Sequence, residues 1–219
     1  MKGVSIYSHD PKLIEAALAD VPGAWDRLLD AWRPVILRWA RRMGGPRIEP
    51  HDVLQDVCVL IWTHLHTVRQ PEKTFPAWVY RVTQREIMRR RRRAWMRKVF
   101  LFEETPEQGD TAAGPERRAQ MSQTARLVQQ VLERLPDAQR EVIVLHELEG
   151  LNQREVSELL GVKLGTVKSR LRLGRARFEQ EARELMPPGG GDSGHQGGMI
   201  FSLTPTTTSE LPYLHRAAC

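Results

Sequence analysis

The sequence predicts an all-α protein with two small helical domains, a flexible linker between them and a disordered C-terminal tail. Apolar residues recur at helical spacing over most of the chain, and no alternating strand pattern is found. Between the domains, and again near the end, the chain becomes rich in Pro, Gly and Thr without periodicity. The predicted boundaries are 1–98 for the first domain, 99–119 for the linker, 120–186 for the second domain and 187–219 for the tail.

Composition narrows the possible partners and compartment. The 219 residues are 41% hydrophobic and 27% charged, which is enough to bury one or two modest cores. A net charge of +6 and a pI near 9.7 favour a polyanionic partner, either nucleic acid or, less readily, an acidic membrane surface. Neither a signal-peptide core nor an apolar run of about 18 residues is present, so we expect a cytoplasmic protein without membrane insertion. The two cysteines, Cys58 and Cys219, support neither a disulfide framework nor a zinc cage, and Cys58 is expected in the core.

Four helices are predicted in the first domain. A short helix follows the Asp-Pro pair at 10–11, which is a good N-cap and first-turn combination. The next helix, "GAWDRLLDAWRPVILRWARRM", contains Pro34, which either kinks it or divides it in two. A third helix begins near Pro50, and a fourth follows Pro71 or Phe75 and extends through "REIMRRRRRAWMRK".

Helical patterning in the second domain ends in a predicted helix-turn-helix. It resumes in "SQTARLVQQVLERL" and again from Pro136. Asn152 and Glu155 have the spacing of a capping box, and the short helix that they begin should stop at Gly161 in a left-handed turn. In a helix-turn-helix the following helix enters the major groove of a DNA duplex.

The sequence "GVKLGTVKSRLRLGRARF" predicts that second helix and its two faces. One face should pack inward, and its members are Val167, Leu171, Gly174 and Phe178. The opposite face is basic or small, as close approach to DNA requires, and its members are Gly165, Lys168, Ser169 and Arg172.

A second basic cluster lies at the end of the first domain. From Arg81 to Lys98 there are nine basic residues and a single acid, Glu86. Such one-sided charge is favourable when an anionic polymer releases its counterions on binding. The aromatic residues Trp78, Tyr80 and Trp95 are interleaved, and they could stack on unpaired bases, although core positions are favoured for Trp78 and Tyr80.

Three stretches together resemble the extracytoplasmic-function (ECF) class of bacterial RNA polymerase sigma factors, in the sigma-70 family. These are "PHDVLQDVCVLIWTHL", "FPAWVYRVTQREIMRRRRR" and "LPDAQREVIVLHELEGLNQREVSELLGVKLGTVKSRLRLGRARF", and the resemblance covers residues 10 to 183. It implies a region 2 helical bundle and a region 4 helix-turn-helix. The implied function is to bind core RNA polymerase and direct promoter recognition and transcription initiation.

The resemblance also implies which residues contact each partner. The docking face for core RNA polymerase comprises Asp52, Gln55 and Asp56. Contacts to the minus-ten element, including the melted non-template strand, fall on Arg81, Gln84, Arg85, Arg89, Arg90 and Arg92. Contacts to the minus-thirty-five duplex fall on Lys163, Thr166, Lys168, Ser169, Arg170 and Arg172. Members of this class are commonly inhibited by an anti-sigma factor, so one is expected here.

This sequence departs from the family pattern at three positions. Arg85 stands where many relatives have Asn, and Arg89 replaces a later Asp, so an unusual minus-ten preference is expected. Lys163 stands where a Ser commonly caps the recognition helix. A lysine side chain cannot accept the amide hydrogen bond, so the helix start is less well capped unless another group supplies the cap.

Two other functions are compatible with parts of the sequence. A regulator of the response-regulator type could carry a similar helix-turn-helix, but it would need an N-terminal receiver domain with alternating strands. A nonspecific DNA- or RNA-packaging protein would show affinity governed by salt alone. No catalytic residue, cofactor or metal is expected, because "HELEG" has Gly150 where a zinc protease needs its second histidine, and no phosphate loop or nucleophile elbow appears.

Overall fold

The computed structural model describes residues 10–45, 48–100 and 123–185, and every regular element in these ranges is helical. The α-helices are α1 (Pro11–Leu18), α2 (Ala24–Gly44), α3 (Pro50–His64), α4 (Pro71–Phe100), α5 (Gln123–Arg134), α6 (Asp137–Ile143), α7 (Gln153–Leu160) and α8 (Leu164–Leu185). A 3-10 turn, Leu65–Thr67, follows α3, and a π-helical turn, Val144–Leu148, follows α6. No helix in the described ranges is long and apolar enough to span a membrane.

The helices of the first domain begin and end where the sequence indicates. Asp10 caps α1 by accepting a hydrogen bond from the Lys12 amide at 3.0 Å. Helix α2 is a single helix with Pro34 inside it, so the division into two does not occur. It ends at Gly45, whose φ of 79° favours glycine. Helices α2, α3 and α4 pack against one another.

Aromatic side chains form the centre of the first domain. Trp32 meets Phe75 edge-on with ring centroids 5.2 Å apart, and Trp39 meets Tyr80 in the same way at 5.0 Å. Edge-to-face pairs add to the stabilisation that burial of large rings provides. Tyr80 is almost completely buried, which confirms the core position expected for it, whereas Trp78 is half-buried.

Helix α3 turns its predicted apolar face inward. Val53, Val57 and Ile61 are fully buried, while Leu60, expected beside them, is half-buried. Cys58 is also half-buried rather than fully enclosed. Desolvation raises the pKa of its thiol, although the nearby Arg33 guanidinium acts in the opposite direction. The thiol form of Cys58 is therefore favoured.

A buried arginine joins the first two helices of the second domain. The guanidinium of Arg140 donates to the backbone carbonyls of Leu132, Glu133 and Leu135 at the end of α5. These carbonyls would otherwise lack helical partners, so Arg140 satisfies them and fixes α6 against α5. Burial lowers the pKa of Arg140, partly offset by its ion pair with Asp137.

Helix α8 packs through the predicted stripe. Val167, Leu171, Gly174 and Phe178 are all buried, as expected from their spacing. Gly174 allows the closest approach, since a Cβ atom there would lie 3.0 Å from Ile143 Cγ1 and 3.4 Å from the Gln139 carbonyl oxygen. The glycine is therefore needed for α6 and α8 to pack at this distance.

The two domains contact each other. Helix α2 contacts α5, and α4 contacts α7. Helical patterning does not determine how two domains lie against each other, so only the structure shows this contact.

Enlarging Gly174 should weaken the second domain. In the Gly174→Val variant, overpacking against Ile143 and Gln139 should reduce the free energy of unfolding by about 1–3 kcal/mol. Urea denaturation followed by circular dichroism measures this change.

Gly165→Ala is the matched control, because Gly165 lies in the same helix and nothing is within 4 Å of the position of its Cβ. That variant should be neutral or more stable by up to about 1 kcal/mol, since alanine is the better helix former. Equal losses in both variants would contradict the packing role of Gly174.

Candidate nucleic-acid interface

The turn that presents α8 is fixed by local hydrogen bonds. Asn152 Oδ1 accepts from the amides of Arg154 and Glu155, and the Glu155 carboxylate accepts from the Asn152 amide at 2.7 Å. This is the predicted capping box. Gly161 follows with a φ of 66°, and the Ser157 hydroxyl donates to the Val162 carbonyl at 2.6 Å. The predicted turn between α7 and α8 is therefore confirmed.

The side of α8 opposite its buried stripe is open to solvent. Lys168, Ser169 and Arg172 are exposed, and Lys163 is exposed just before the helix begins. The Lys163 carbonyl accepts from the amides of Thr166 and Val167, which starts the helical hydrogen bonding. This basic face has the shape and charge that a duplex major groove requires.

Two other predicted contacts on α8 are less accessible. Thr166 and Arg170 are half-buried. Arg170 lies close enough to the carboxyl group of Glu141 on α6 to favour its ionised form. The structure therefore separates Arg170 from the exposed face that carries Lys168 and Arg172.

The arginine stretch of α4 forms an ordered stripe. Positions i, i+4, i+8 and i+11 share one helical face, and on α4 these are the exposed Arg81, Arg85, Arg89 and Arg92. Gln84 and Arg90 lie off this stripe and are half-buried. Trp95 is 60% exposed near the end of the described part of the helix. An exposed ring beside a line of guanidinium groups suits an unpaired nucleic-acid strand.

The acidic face predicted on α3 lies against this arginine stretch. Arg90 contacts the carboxylates of Asp52 at 3.3 Å and Asp56 at 2.6 Å, and Arg89 contacts Asp56 at 3.0 Å and also Glu86. The two groups of residues predicted for different partners thus form one charged cluster. Sequence spacing could not show this, because the groups lie more than 30 positions apart.

The acidic face of α3 continues into an exposed apolar patch that sequence reasoning missed. Val59 and Trp62 are 57% and 56% exposed. They follow Asp52 by seven and ten positions, which places them on the same side of the helix. Trp62 packs on Trp25 with ring centroids 4.7 Å apart. Their helical spacing from Asp52 is the feature of the sequence that could have identified Val59 and Trp62.

The described residues contain no grouping of three or more His, Cys, Asp or Glu side chains able to hold a metal ion. His146, which begins the "HELEG" stretch, instead lies within hydrogen-bonding distance of the Leu151 carbonyl through its Nδ1, at 2.6 Å.

Two family models match the chain in the order of its domains. The model of sigma-70 region 2 matches residues 28–97, and that of sigma-70 region 4 matches residues 125–178. The chain belongs to the sigma-70 family, in the ECF class. It acts as a sigma factor, and nothing favours the alternative of a duplex-binding regulator.

Curated relatives of this sigma factor include ECF sigma factors of bacteria. It is 28% identical to SigD of Mycobacterium tuberculosis over 160 residues, which is 71% of this chain and 76% of SigD. It is 32% identical to SigE of Mycolicibacterium smegmatis over 156 residues, which is 71% of this chain and 60% of SigE.

Solved structures share its fold. CnrH, in complex with the cytosolic domain of CnrY, aligns with a TM-score of 0.59 at 24% identity, covering 81% of this chain and 99% of that one. RpoE of Bartonella quintana, in complex with the anti-sigma factor NepR, aligns with a TM-score of 0.56 at 19% identity, covering 75% and 99%. The all-helical fold class predicted from the sequence is confirmed.

The carboxyl group of Glu141 lies between the two domains of this sigma factor. Tyr80, on the first domain, donates its hydroxyl hydrogen to Glu141 Oε1 at 2.6 Å. Burial raises the pKa of Glu141, Asp137 acts in the same direction, and the Tyr80 hydrogen bond and Arg170 oppose it. The neutral carboxyl is thus favoured relative to an exposed glutamate.

Replacing Glu141 with Gln should make stability less dependent on pH. Because its pKa is raised on folding, Glu141 contributes stability below its unfolded pKa of about 4.3 and loses that contribution as pH rises through the folded pKa. Gln keeps an oxygen that accepts the hydrogen bond from Tyr80, and because Gln does not ionise, this contribution to stability does not fall as pH rises. Relative to the parent, E141Q should therefore gain stability in urea denaturation as pH rises above about 4.3.

Glu158→Gln is the matched control, because Glu158 is exposed in the same domain. If the stability difference between E141Q and the parent stays constant across this pH range, the burial of the Glu141 charge has no energetic effect.

Proposed function

We propose that this sigma factor divides promoter recognition among three surfaces of its two domains. The face of α3 docks on core RNA polymerase, the arginine stripe of α4 captures the melted non-template strand of the minus-ten element, and α8 reads the minus-thirty-five duplex. The observation that carries the proposal is that the exposed basic face of α8 and the arginine stripe of α4 stand on separate domains. Two such surfaces suit two DNA elements held at once.

The polymerase-docking surface combines charge with apolar area. Its polar part is Asp52, Gln55 and Asp56, and we add Val59 and Trp62, which extend the same helical face. A contiguous exposed apolar patch bordered by polar residues is typical of a protein–protein contact site. An acidic patch on a protein of net charge +6 also favours a basic partner surface.

The proposed division of the chain follows from these surfaces. Residues 1–98 bind polymerase and the minus-ten element, and residues 120–186 bind the minus-thirty-five element. Residues 99–119 connect them, so that binding of one element raises the effective concentration of the other domain at its own site. Segments 101–122 and 186–219 lie outside the described residues, and with them the predicted tail.

Further properties follow from the same proposal. The RNA polymerase supplies the chemistry, so this chain needs no catalytic residue and is not an enzyme. It works where the polymerase works, in the cytoplasm. Since RpoE of Bartonella quintana is captured with the anti-sigma factor NepR, we include an anti-sigma partner that covers these surfaces.

The test of this function is transcription by core polymerase from the same bacterium. Adding the purified protein should create new transcript starts on genomic DNA, and these should share two upstream elements at fixed spacing. The Asp52→Asn and Asp56→Asn double variant should reduce affinity for core polymerase about tenfold or more, because it removes both docking charges. Transcript mapping and co-migration on a sizing column provide the measurements.

A charge-matched control neutralises Glu15 and Asp26, two exposed acids of the same domain. It should bind polymerase normally. The docking proposal is wrong if the Asp52 and Asp56 double variant supports transcription as well as this control does.

Arg172 should contribute to reading the minus-thirty-five duplex. Its replacement by Ala should cost about 1–3 kcal/mol in binding to that element if it contacts a base, and less if it contacts only phosphate. Fluorescence anisotropy with a labelled duplex at several salt concentrations separates the two cases.

Arg183→Ala is the matched control, because Arg183 is an exposed arginine in the last turn of the same helix. Binding to core polymerase should be unchanged in both variants. Equal losses of duplex affinity would show that only overall charge matters.

A further inference from the structure

Three acids of the second domain contact arginines and a tyrosine of the first domain where the two domains meet. The acids belong to the second domain: Asp137 and Glu141 lie one turn apart on α6, and Glu149 follows the π-helical turn. Their partners are on the first domain. We call Asp137, Glu141 and Glu149 the acidic strip.

Glu149 is held by two arginines of α2. Arg38 contacts its Oε2 at 3.2 Å, and Arg42 contacts its Oε1. The Glu149 side chain is 2% exposed, so the pair of guanidinium groups compensates a charge that water cannot reach. Two guanidinium groups around one anion is also the arrangement that binds a phosphate group.

The other two acids contact α4. Asp137 forms an ion pair with Arg91 at 2.5 Å, and Glu141 accepts from Tyr80. Positions 80, 84 and 91 lie on one side of α4, so Gln84 falls on the same side as the two contacts. Its Oε1 atom is buried without a hydrogen-bond partner. A residue proposed to read the minus-ten strand therefore has an unsatisfied polar atom in this arrangement.

We call the arrangement with the two domains in direct contact closed. A closed chain cannot bind both promoter elements at the same time. Elements centred about 25 base pairs apart are separated by about 85 Å along a duplex, at about 3.4 Å per base pair. Helix α8 is only about 33 Å long, and the domains that carry α4 and α8 are in direct contact. The domains must separate before both elements are bound.

We propose that Arg38, Arg42 and Arg91 form a phosphate-binding surface for the DNA backbone, which the acidic strip occupies while the domains are closed. Asp137 and Glu149 stand in for phosphates, while Glu141 is held by the Tyr80 hydroxyl. DNA that binds the first domain competes with the strip and so favours the open chain. This inference rests on the proposed function, because it adds a contact and a regulatory step to DNA binding by the first domain.

The test uses the full-length protein and oligothymidine, without polymerase or promoter sequence. A triple variant, Asp137→Asn, Glu141→Ala and Glu149→Gln, should have a larger radius of gyration by small-angle scattering, because it removes both ion pairs and the acceptor of the Tyr80 hydrogen bond. Its affinity for oligothymidine should rise about tenfold. The slope of log affinity against log salt should steepen by about 2, because three added phosphate contacts each contribute about 0.7 on a single strand.

The control makes the same charge change at three exposed acids outside the strip, as Glu15→Gln, Asp26→Asn and Glu184→Gln. Its size and salt slope should match the parent. Adding Arg38→Gln, Arg42→Gln and Arg91→Gln to the triple variant should restore the parental slope while the chain stays open. Circular dichroism checks that each variant is folded.

Two results would overturn the proposal. A triple variant that remains as compact as the control would show that the strip does not close the domains. An open triple variant with an unchanged salt slope would show that the three arginines do not bind phosphate. If transcription initiation fails while this test succeeds, the phosphate surface stands and the proposed polymerase function does not.

Discussion

A carboxylate removed from water needs its charge compensated, and Glu149 meets this requirement through Arg38 and Arg42 of the other domain. Its position depends on the π-helical turn before it, where the Glu149 amide donates to the Val144 carbonyl at 2.9 Å, and on Gly150, whose φ is 74°. Removing one partner of such a pair costs about 3–5 kcal/mol. The placement of the second domain against α2 and α4 therefore depends on this interaction.

Acidic side chains are also compensated by arginines inside the first domain. Arg89 and Arg90 neutralise Asp56, and Arg90 also contacts Asp52, so the acids proposed to dock on polymerase and the arginines proposed to bind DNA balance each other. A guanidinium group that is fully engaged by a carboxylate has fewer donors left for a phosphate. Binding of a partner at the α3 face should therefore change the affinity of the α4 stripe for an anionic partner, and the reverse. The ion pairs around Glu149 and those around Asp56 hold these arginines in place without DNA, in a chain whose net charge is +6.

Some of the residues proposed to be functional could be placed from the sequence and others could not. The exposed face of α8 was predicted correctly, because the buried Val167 and Leu171 fix the orientation of Lys168 and Arg172. Val59 and Trp62 were missed because apolar residues on a helix are usually assigned to the core. Arg38 and Arg42 were missed because nothing near them in the sequence marks Glu149 as their partner.

By itself, the sequence determined the helices, their caps, the turn at Gly161 and the family, since these depend on local spacing, local hydrogen bonding and ordered motifs. Only the tertiary structure decided which charges meet. Arg38 and Glu149 are 111 positions apart, and Tyr80 and Glu141 are 61 apart. Periodicity shows which face of a helix is buried but not which helix covers it, because many packings bury the same stripe and only complementary charges and shapes distinguish them.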